Sequence, residues 1–299
     1  MTTVVRVDGV TKRFGSTRAL DEVSFELSKN TIHGLLGRNG AGKTTMMKVL
    51  TGQILETSGT VEVFGAHPYE NADVLSRVCF ISEGQRYPET YQVRHVLKVA
   101  RLLYPNWDEK FAQELVDEFG LPRKRYVKKL SRGMLSAVGV IIGLASRAPL
   151  TFFDEPYLGL DAVARQLFYD RLLADYARHP RTIVLSTHLI DEVSNLIEHV
   201  VVIDQGRILI DEDADTLRRS AVTVSGPASA VESFVTGRTE LHREQLGGRL
   251  RVTVANAPDQ QPHGDLELEP VSLQQLIVRT TQRNRDERAD TSTRRGGMP

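Results

Sequence analysis

The segment Gly37-Arg38-Asn39-Gly40-Ala41-Gly42-Lys43-Thr44 limits what this chain can fold into more than any other. It fits the pattern G-x-x-x-x-G-K-[ST] and lies between an apolar run, Ile32–Leu36, and a helical pattern over Lys43–Leu50. Strand, glycine-rich loop and helix, in that order, let backbone N–H groups turn inward around phosphates. The helix N-terminus adds partial positive charge at the same point. Gly37, Asn39, Gly40, Ala41, Gly42, Lys43, Thr44 and the adjoining Thr45 are therefore candidate nucleotide contacts. Lys43 is placed to reach the β/γ-phosphates, and the Thr44 hydroxyl to ligate Mg²⁺.

A second feature belongs to the same chemistry. Residues 150–155 read Leu-Thr-Phe-Phe-Asp-Glu, an apolar strand that delivers two carboxylates at its end, where ligands sit in open α/β sheets. A carboxylate beside Mg²⁺ stays ionised and its neighbour can orient or deprotonate an attacking water, so Asp154 suits the metal and Glu155 the water. Residues 182–185 and 200–203 are further short apolar runs of the kind buried on both faces of a parallel sheet. Ahead of the loop, Val4-Val5-Arg6-Val7 and the alternating Val23-Ser24-Phe25-Glu26-Leu27 predict a small antiparallel sheet. Val93, Val96, Leu97 and Ala100 share helical spacing, and a second helix over residues 108–119 stops at Gly120.

The expected architecture is α/β: a P-loop NTPase, RecA-like core with an N-terminal antiparallel β subdomain, an inserted helical subdomain and a small α+β C-terminal accessory domain. The boundaries are 1–220 for the nucleotide-binding domain, with the helical insert at about 86–148, then 221–281 for the accessory domain and 282–299 for a disordered tail. The accessory part contains a short helix near 228–235, a hairpin around Gly247-Gly248 and a last helix over 272–281. The tail is charged and aperiodic.

The 38 basic and 38 acidic residues cancel, so no whole-chain field favours nucleic acid, and none is expected as a partner. One cysteine, Cys79 in an apolar stretch, rules out an internal disulfide framework and fits a small core residue. The first residues lack the pattern of a secretory signal. The longest apolar runs fall short of the roughly 20 residues that cross a bilayer as a helix, so membrane contact is expected through a partner.

Leu130-Ser131-Arg132-Gly133-Met134, between the loop and the acidic pair, is similar to the LSGGQ signature of ATP-binding cassette (ABC) ATPases. With it the chain resembles that family over about residues 4–215. The resemblance implies a dimer in which ATP and Mg²⁺ are sandwiched between the P-loop of one chain and Ser131 and Gly133 of another. It further implies that Asp161, in Gly159-Leu160-Asp161, links the two sites, and that His188, in Ser186-Thr187-His188, contacts the γ-phosphate and holds Glu155 and water in line. Phe14 stands where the family stacks an aromatic on adenine, its alternative being a place in the core. Catalysis then falls to Glu155, His188 and Lys43, and metal binding to Thr44 and Asp154.

Three positions depart from the family pattern. Glu83 stands where glutamine is usual, and either Glu83 or Gln85 fills that metal-contacting role. Arg132 and Met134 replace glycine and glutamine of the signature, which puts a cation near the phosphates of the opposite site.

The resemblance implies a peripheral subunit on the cytoplasmic side of the cell membrane, paired with an integral membrane permease and forming a homodimer or a heterodimer with another ABC ATPase. The C-terminal segment Glu269-Pro270-Val271-Ser272-Leu273-Gln274-Gln275-Leu276 looks like the tails of bacterial drug and antibiotic exporter ATPases, and Asp154-Glu155-Pro156-Tyr157-Leu158-Gly159-Leu160-Asp161 together with Leu-Ser-Arg-Gly-Met is similar to a subgroup of such subunits in Gram-positive bacteria. The other class is a soluble ABC ATPase of ribosome, DNA or iron–sulfur assembly. The chain has neither the second cassette nor the long coiled coil of such members.

Overall fold

A computed structural model describes residues 2–255 and 265–295. The chain divides into two compact units, one running to His188 and resuming over Leu196–Asp211, the other made of Leu189–Asn195 and the chain from Glu212 onward.

In the first unit, β1 (Thr3–Phe14) and β2 (Thr17–Ser28) form a hairpin of two 12-residue strands. Their pairing continues through Lys12, Arg13 and Phe14 to the hairpin end, where Arg13 and Phe14 are exposed. The chain then enters β3 (Ile32–Leu36), passes the glycine-rich loop and starts α1 (Lys43–Leu50). β4 (Ser58–Val63) returns to β1, giving a three-stranded antiparallel sheet of order β2-β1-β4. After the single turn α2 (Ala72–Leu75) comes β5 (Val78–Ser82).

The helical insert consists of α3 (Val93–Leu103), α4 (Glu109–Glu118) and α5 (Arg132–Ala145). Val93, Val96, Leu97 and Ala100 of α3 are all buried, as one apolar stripe requires. The Asp108 carboxylate accepts from the Phe111 N–H at 2.8 Å and starts α4, and Gly120 at φ 59° ends it. α5 is apolar on all sides and lies close to the sheet: a Cβ on Gly143 would meet the Phe153 ring at 2.3 Å.

β6 (Leu150–Asp154), α6 (Ala162–Arg178), β7 (Thr182–Thr187), β8 (His199–Asp204) and β9 (Arg207–Asp213) follow, the single turn α7 (Ile190–Val193) between β7 and β8 belonging to the second unit. The strands form a six-stranded sheet of order β5-β6-β7-β3-β8-β9, with β5, β6, β7, β3 and β8 mutually parallel. Every residue of β3, β6 and β7 is buried, which is why their sequences are apolar runs without alternation. One core joins the two sheets and α1, with Val5, Val7, Leu20 and Val23 against Met46, Met47, Phe152 and Val184. Cys79 is buried, as expected.

The second unit has α8 (Ala214–Arg219), β10 (Ala221–Pro227), α9 (Ala228–Val235), β11 (Thr239–Leu246), β12 (Arg249–Ala255), β13 (Glu267–Pro270) and α10 (Leu273–Arg295). Its antiparallel sheet has the order β11-β12-β10-β13, and Val231 and Val235 of α9 pack on Val224, Leu250, Val252 and Val254. The β11–β12 hairpin turns at Gly247-Gly248, with Gly247 at φ 58°. Two expectations change. The unit takes in Leu189–Asn195 and its continuous part starts at Glu212, ahead of the boundary drawn after residue 220, because α8 belongs with it. Residues 282–295, expected to be disordered, are helical as the continuation of α10. That stretch has no Gly or Pro, and its arginines, Gln282, Glu287 and Ala289 are good helix formers. Residues 296–299 lie outside the described residues.

Candidate nucleotide-binding and hydrolysis site

The loop between β3 and α1 can only be built with glycine at two of its positions. A Cβ on Gly37 (φ 149°) would lie 2.1 Å from the Ile203 carbonyl oxygen, and one on Gly42 (φ 116°) 2.8 Å from that of Ala19. Gly42 caps α1 without a side chain, so the first N–H groups of the helix stay available. The Lys43 ammonium donates to the carbonyls of Gly37 at 2.7 Å and Arg38 at 3.1 Å. Burial pushes its pKa down, while the nearby Glu155 and Asp154 pull it back up.

A cleft of about 290 Å³ opens over this loop, lined by Ala19, Asn39, Gly40, Gly42, Lys43, Thr44, Thr45, Glu83, Asp154 and Glu155. Ala41 is buried and packs into the core below it. The Thr44 hydroxyl, in the first turn of α1, donates to Asp154 Oδ2 at the end of β6 at 2.7 Å. Asp154 is buried and its second oxygen, Oδ1, has no hydrogen-bond partner. Burial raises its pKa, the Thr44 and Ser186 hydroxyls and the Lys43 charge opposing and the Glu155 charge adding. An open carboxylate oxygen and a threonine hydroxyl at one point are a donor set suited to a hard cation such as Mg²⁺.

Glu155 follows in the left-handed region at φ 49°, a conformation strained for a residue with a side chain. Its N–H is held by the Ser186 carbonyl at 3.0 Å. The carboxylate is divided: Oε1 is buried without a partner, whereas Oε2 accepts from His188 Nδ1 at 3.0 Å and from the Tyr157 hydroxyl. The structure therefore brings together Lys43, Thr44, Asp154, Glu155 and His188 as the sequence suggested. Tyr157, fully enclosed beside Glu155 and His188, was not singled out. The signal was a hydroxyl-bearing aromatic immediately after the Glu-Pro pair, in a segment otherwise read for its carboxylates.

The remaining candidates lie elsewhere. Phe14 is 51% exposed at the end of β1, with the Lys12 ammonium 5.0 Å over its ring, so it is not core, and it does not line the cleft. Ser131 caps α5, its Oγ accepting from the Met134 N–H at 3.2 Å. Gly133 packs so closely on the following segment that a Cβ would lie 2.5 Å from the Gly159 carbonyl. Asp161 caps α6 by accepting from the Ala164 N–H at 2.8 Å. Neither Ser131, Gly133 nor Asp161 borders the cleft of its own chain. Glu83 borders the cleft and also a neighbouring hollow of about 370 Å³, whereas Gln85 borders only the hollow. Glu83 is bonded to Arg132 Nη2 at 2.7 Å.

A family model described as ABC transporter matches residues 20–158. The chain is 31% identical over 223 residues to the bacitracin transport ATP-binding protein BcrA of Bacillus licheniformis, covering 73% of this chain and 72% of that protein. It is 30% identical over 222 residues to the daunorubicin resistance ATP-binding protein DrrA3 of Streptomyces coeruleorubidus, covering 72% and 70%. Among solved structures, an ATP-binding subunit of an ABC transporter has the same fold at a TM-score of 0.66, with 24% identity over 73% of this chain and 92% of that one. From the walls of its cleft to these relatives, the chain belongs to the ABC transporter ATP-binding proteins.

Proposed function

We propose that the chain binds ATP with Mg²⁺ and hydrolyses it to drive transport through a separate membrane permease, in the export direction. The observation that carries this reading is the convergence of Lys43, Thr44, Asp154 and Glu155 on one cleft at the carboxyl ends of β3 and β6. The loop amides and Lys43 take the phosphates. Thr44 and Asp154 Oδ1 are the oxygens that would hold Mg²⁺, which supplies charge neutralisation on the phosphate oxygens when bound. Glu155 Oε1 is the open base for water, and His188, fixed through Nδ1, presents its other nitrogen to the γ-phosphate.

Ser131 and Gly133 do not border their own cleft, which fits a site completed by a second ATPase subunit, identical or not. Nucleotide then contributes to the dimer contact. Phe14 supplies an exposed face for adenine, and Glu83 rather than Gln85 adds an oxygen beside the P-loop. Among the described residues no helix is long and apolar enough to cross a membrane, so attachment to the cytoplasmic face runs through the permease. Export is supported by the bacitracin-transport and daunorubicin-resistance relatives.

The test is Lys43→Ala in purified protein. ATP hydrolysis should be lost and nucleotide affinity weakened by about 1.5–3 kcal/mol, the value of a charge-assisted contact. Unchanged hydrolysis would sink the site assignment. Isolation of wild-type chain from solubilised membranes should carry the permease along; a chain recovered only with ribosomes or DNA would favour the non-transport class.

A further inference from the structure

The loop after β6 folds back on the residue that starts it. Glu155 in its left-handed conformation, followed by Pro156, turns the chain so that the Leu158 N–H reaches the Glu155 carbonyl at 3.1 Å. The turn swings Tyr157 under the end of β7. There the phenol is 3% exposed and its oxygen touches four groups from two segments. It donates to Glu155 Oε2, lies 2.7 Å from Thr187 Oγ1 and 3.2 Å from His188 Nδ1, and accepts from the His188 N–H at 3.3 Å. The Tyr157 and His188 rings are 5.9 Å apart and tilted by 57°.

Counting hydrogens gives this cluster one arrangement. The single phenolic hydrogen goes to the carboxylate, which can only accept. The phenol oxygen is then an acceptor towards β7, filled by the His188 N–H and by the Thr187 hydroxyl. His188 Nδ1 faces two acceptors, Oε2 and the phenol oxygen, so Nδ1 carries a hydrogen and Nε2 is turned outward. Burial and the hydrogen bond to Glu155 raise the phenol's pKa, so Tyr157 is a neutral donor and does not compete with Glu155 as a base. Of the buried oxygens in the cluster, Glu155 Oε1 is the one left without a hydrogen-bond partner among the described residues.

We infer that Tyr157 is a positioning residue for hydrolysis: its hydroxyl ties Glu155 and His188 into one unit and leaves Oε1 as the carboxylate oxygen for the attacking water. A carboxylate rotates easily about its last bond, and without a second anchor on Oε2 its two oxygens exchange places. Phenylalanine would fill the same space and leave His188 as the only tether. The inference rests on the proposed ATPase reading, and concerns the rate of the chemical step rather than the binding of nucleotide.

The experiment compares full-length wild type, Tyr157→Phe and Glu155→Gln in steady-state ATPase assays, with nucleotide affinity and melting temperature measured on each. Tyr157→Phe should lower kcat roughly 10-fold, as expected when a charge-assisted tether on the base is lost, with KM for ATP and nucleotide affinity within about twofold of wild type. The double variant should be no slower than Glu155→Gln alone, because the hydroxyl acts through the carboxylate. A Tyr157→Phe kcat within twofold of wild type, or a fall in kcat accompanied by equal losses of affinity and melting temperature, overturns the inference. Full turnover in Glu155→Gln would instead overturn the reading of Glu155 as base. Should Tyr157→Phe fail to fold, Thr187→Val withdraws a support of the phenol from the other side; a kcat there equal to wild type also overturns the inference.

Discussion

The two ends of the six-stranded sheet treat buried charge in opposite ways. At the amino ends of β6 and β7, Asp175 is 4% exposed and accepts from Arg147 at 2.8 Å and Arg181 at 2.7 Å, while Arg147 also meets Asp108 at 2.8 Å. At the carboxyl ends, Asp154 and Glu155 are equally enclosed, yet each keeps one oxygen with no partner, and Glu155 holds a strained backbone. The first end spends its charges on one another and serves the fold. The second holds acceptors in reserve, which stabilises nothing until a cation, phosphate or water arrives.

The sharpest way to break this comparison is to remove one carboxylate from each end. Asp175→Ala should cost about 3–5 kcal/mol in urea denaturation, because it leaves the buried Arg181 without its counter-charge and takes one of two carboxylate partners from the partly buried Arg147. Asp154→Asn should cost less than about 1 kcal/mol, since burial already disfavours the ionised form there, and it should abolish hydrolysis. Similar losses of stability from both would mean that the two ends are not different in kind.

A smaller effect is expected from pH. His33, in β3 and 1% exposed, bonds through Nε2 to the Ser28 carbonyl at 3.0 Å and faces His199 Nδ1 at 3.2 Å. Burial, with a lesser contribution from His199, lowers its pKa from 6.5 to about 4. The unfolded chain therefore takes up this proton before the folded one does. Stability is unaffected above the unfolded value and falls as pH drops from 6.5 towards about 4, by about 3 kcal/mol in all. His33→Gln should flatten the dependence of unfolding free energy on pH in that window. A slope equal to that of wild type would show that other groups carry it.

Phe14→Ala sits between the two ends in its consequences. Half exposed, the ring should cost little stability when removed, within about 0.5 kcal/mol, as surface substitutions generally do. If it stacks on the base, affinity for ATP and GTP alike should fall by about 1–3 kcal/mol. A large loss of melting temperature with unchanged affinity would return Phe14 to a structural role.

The sheet, the P-loop and the acidic pair were legible because each is local: buried parallel strands are apolar runs, and the loop needs glycine at fixed places. Tyr157 was not legible for the opposite reason. Its contacts with Thr187 and His188 span about thirty positions and exist only because Glu155 adopts a left-handed turn, which no glycine announces. α10 was cut short at residue 281 because its later half lacks an apolar face, and periodicity registers only helices with one side to bury. The roles of Ser131, Gly133 and Asp161 were drawn from resemblance. In the single chain the first and third are helix caps and the second a close packing point.

The smallest expected effect concerns the two departures from the family pattern that turned out to be neighbours. Arg132 was expected to present a cation to the opposite site, but its guanidinium is bonded to Glu83 of its own chain at 2.7 Å. The side chains are 69% and 46% exposed, so water screens the pair, and an exposed ion pair contributes about 0.2–1 kcal/mol. A double-mutant cycle of Glu83→Gln and Arg132→Gly on urea stability should thus give a coupling below about 1 kcal/mol that fades in about 0.5 M salt, where charges are screened within a few ångströms. Its position gives the pair more interest than its strength. It joins the loop after β5, which borders the nucleotide cleft, to the first turn of α5, so the cleft and the helical insert are linked by a contact that costs little to open. A coupling above about 2 kcal/mol, unaffected by salt, would make it a rigid strut instead. The carboxyl end of the sheet would then share the self-satisfied character of the amino end.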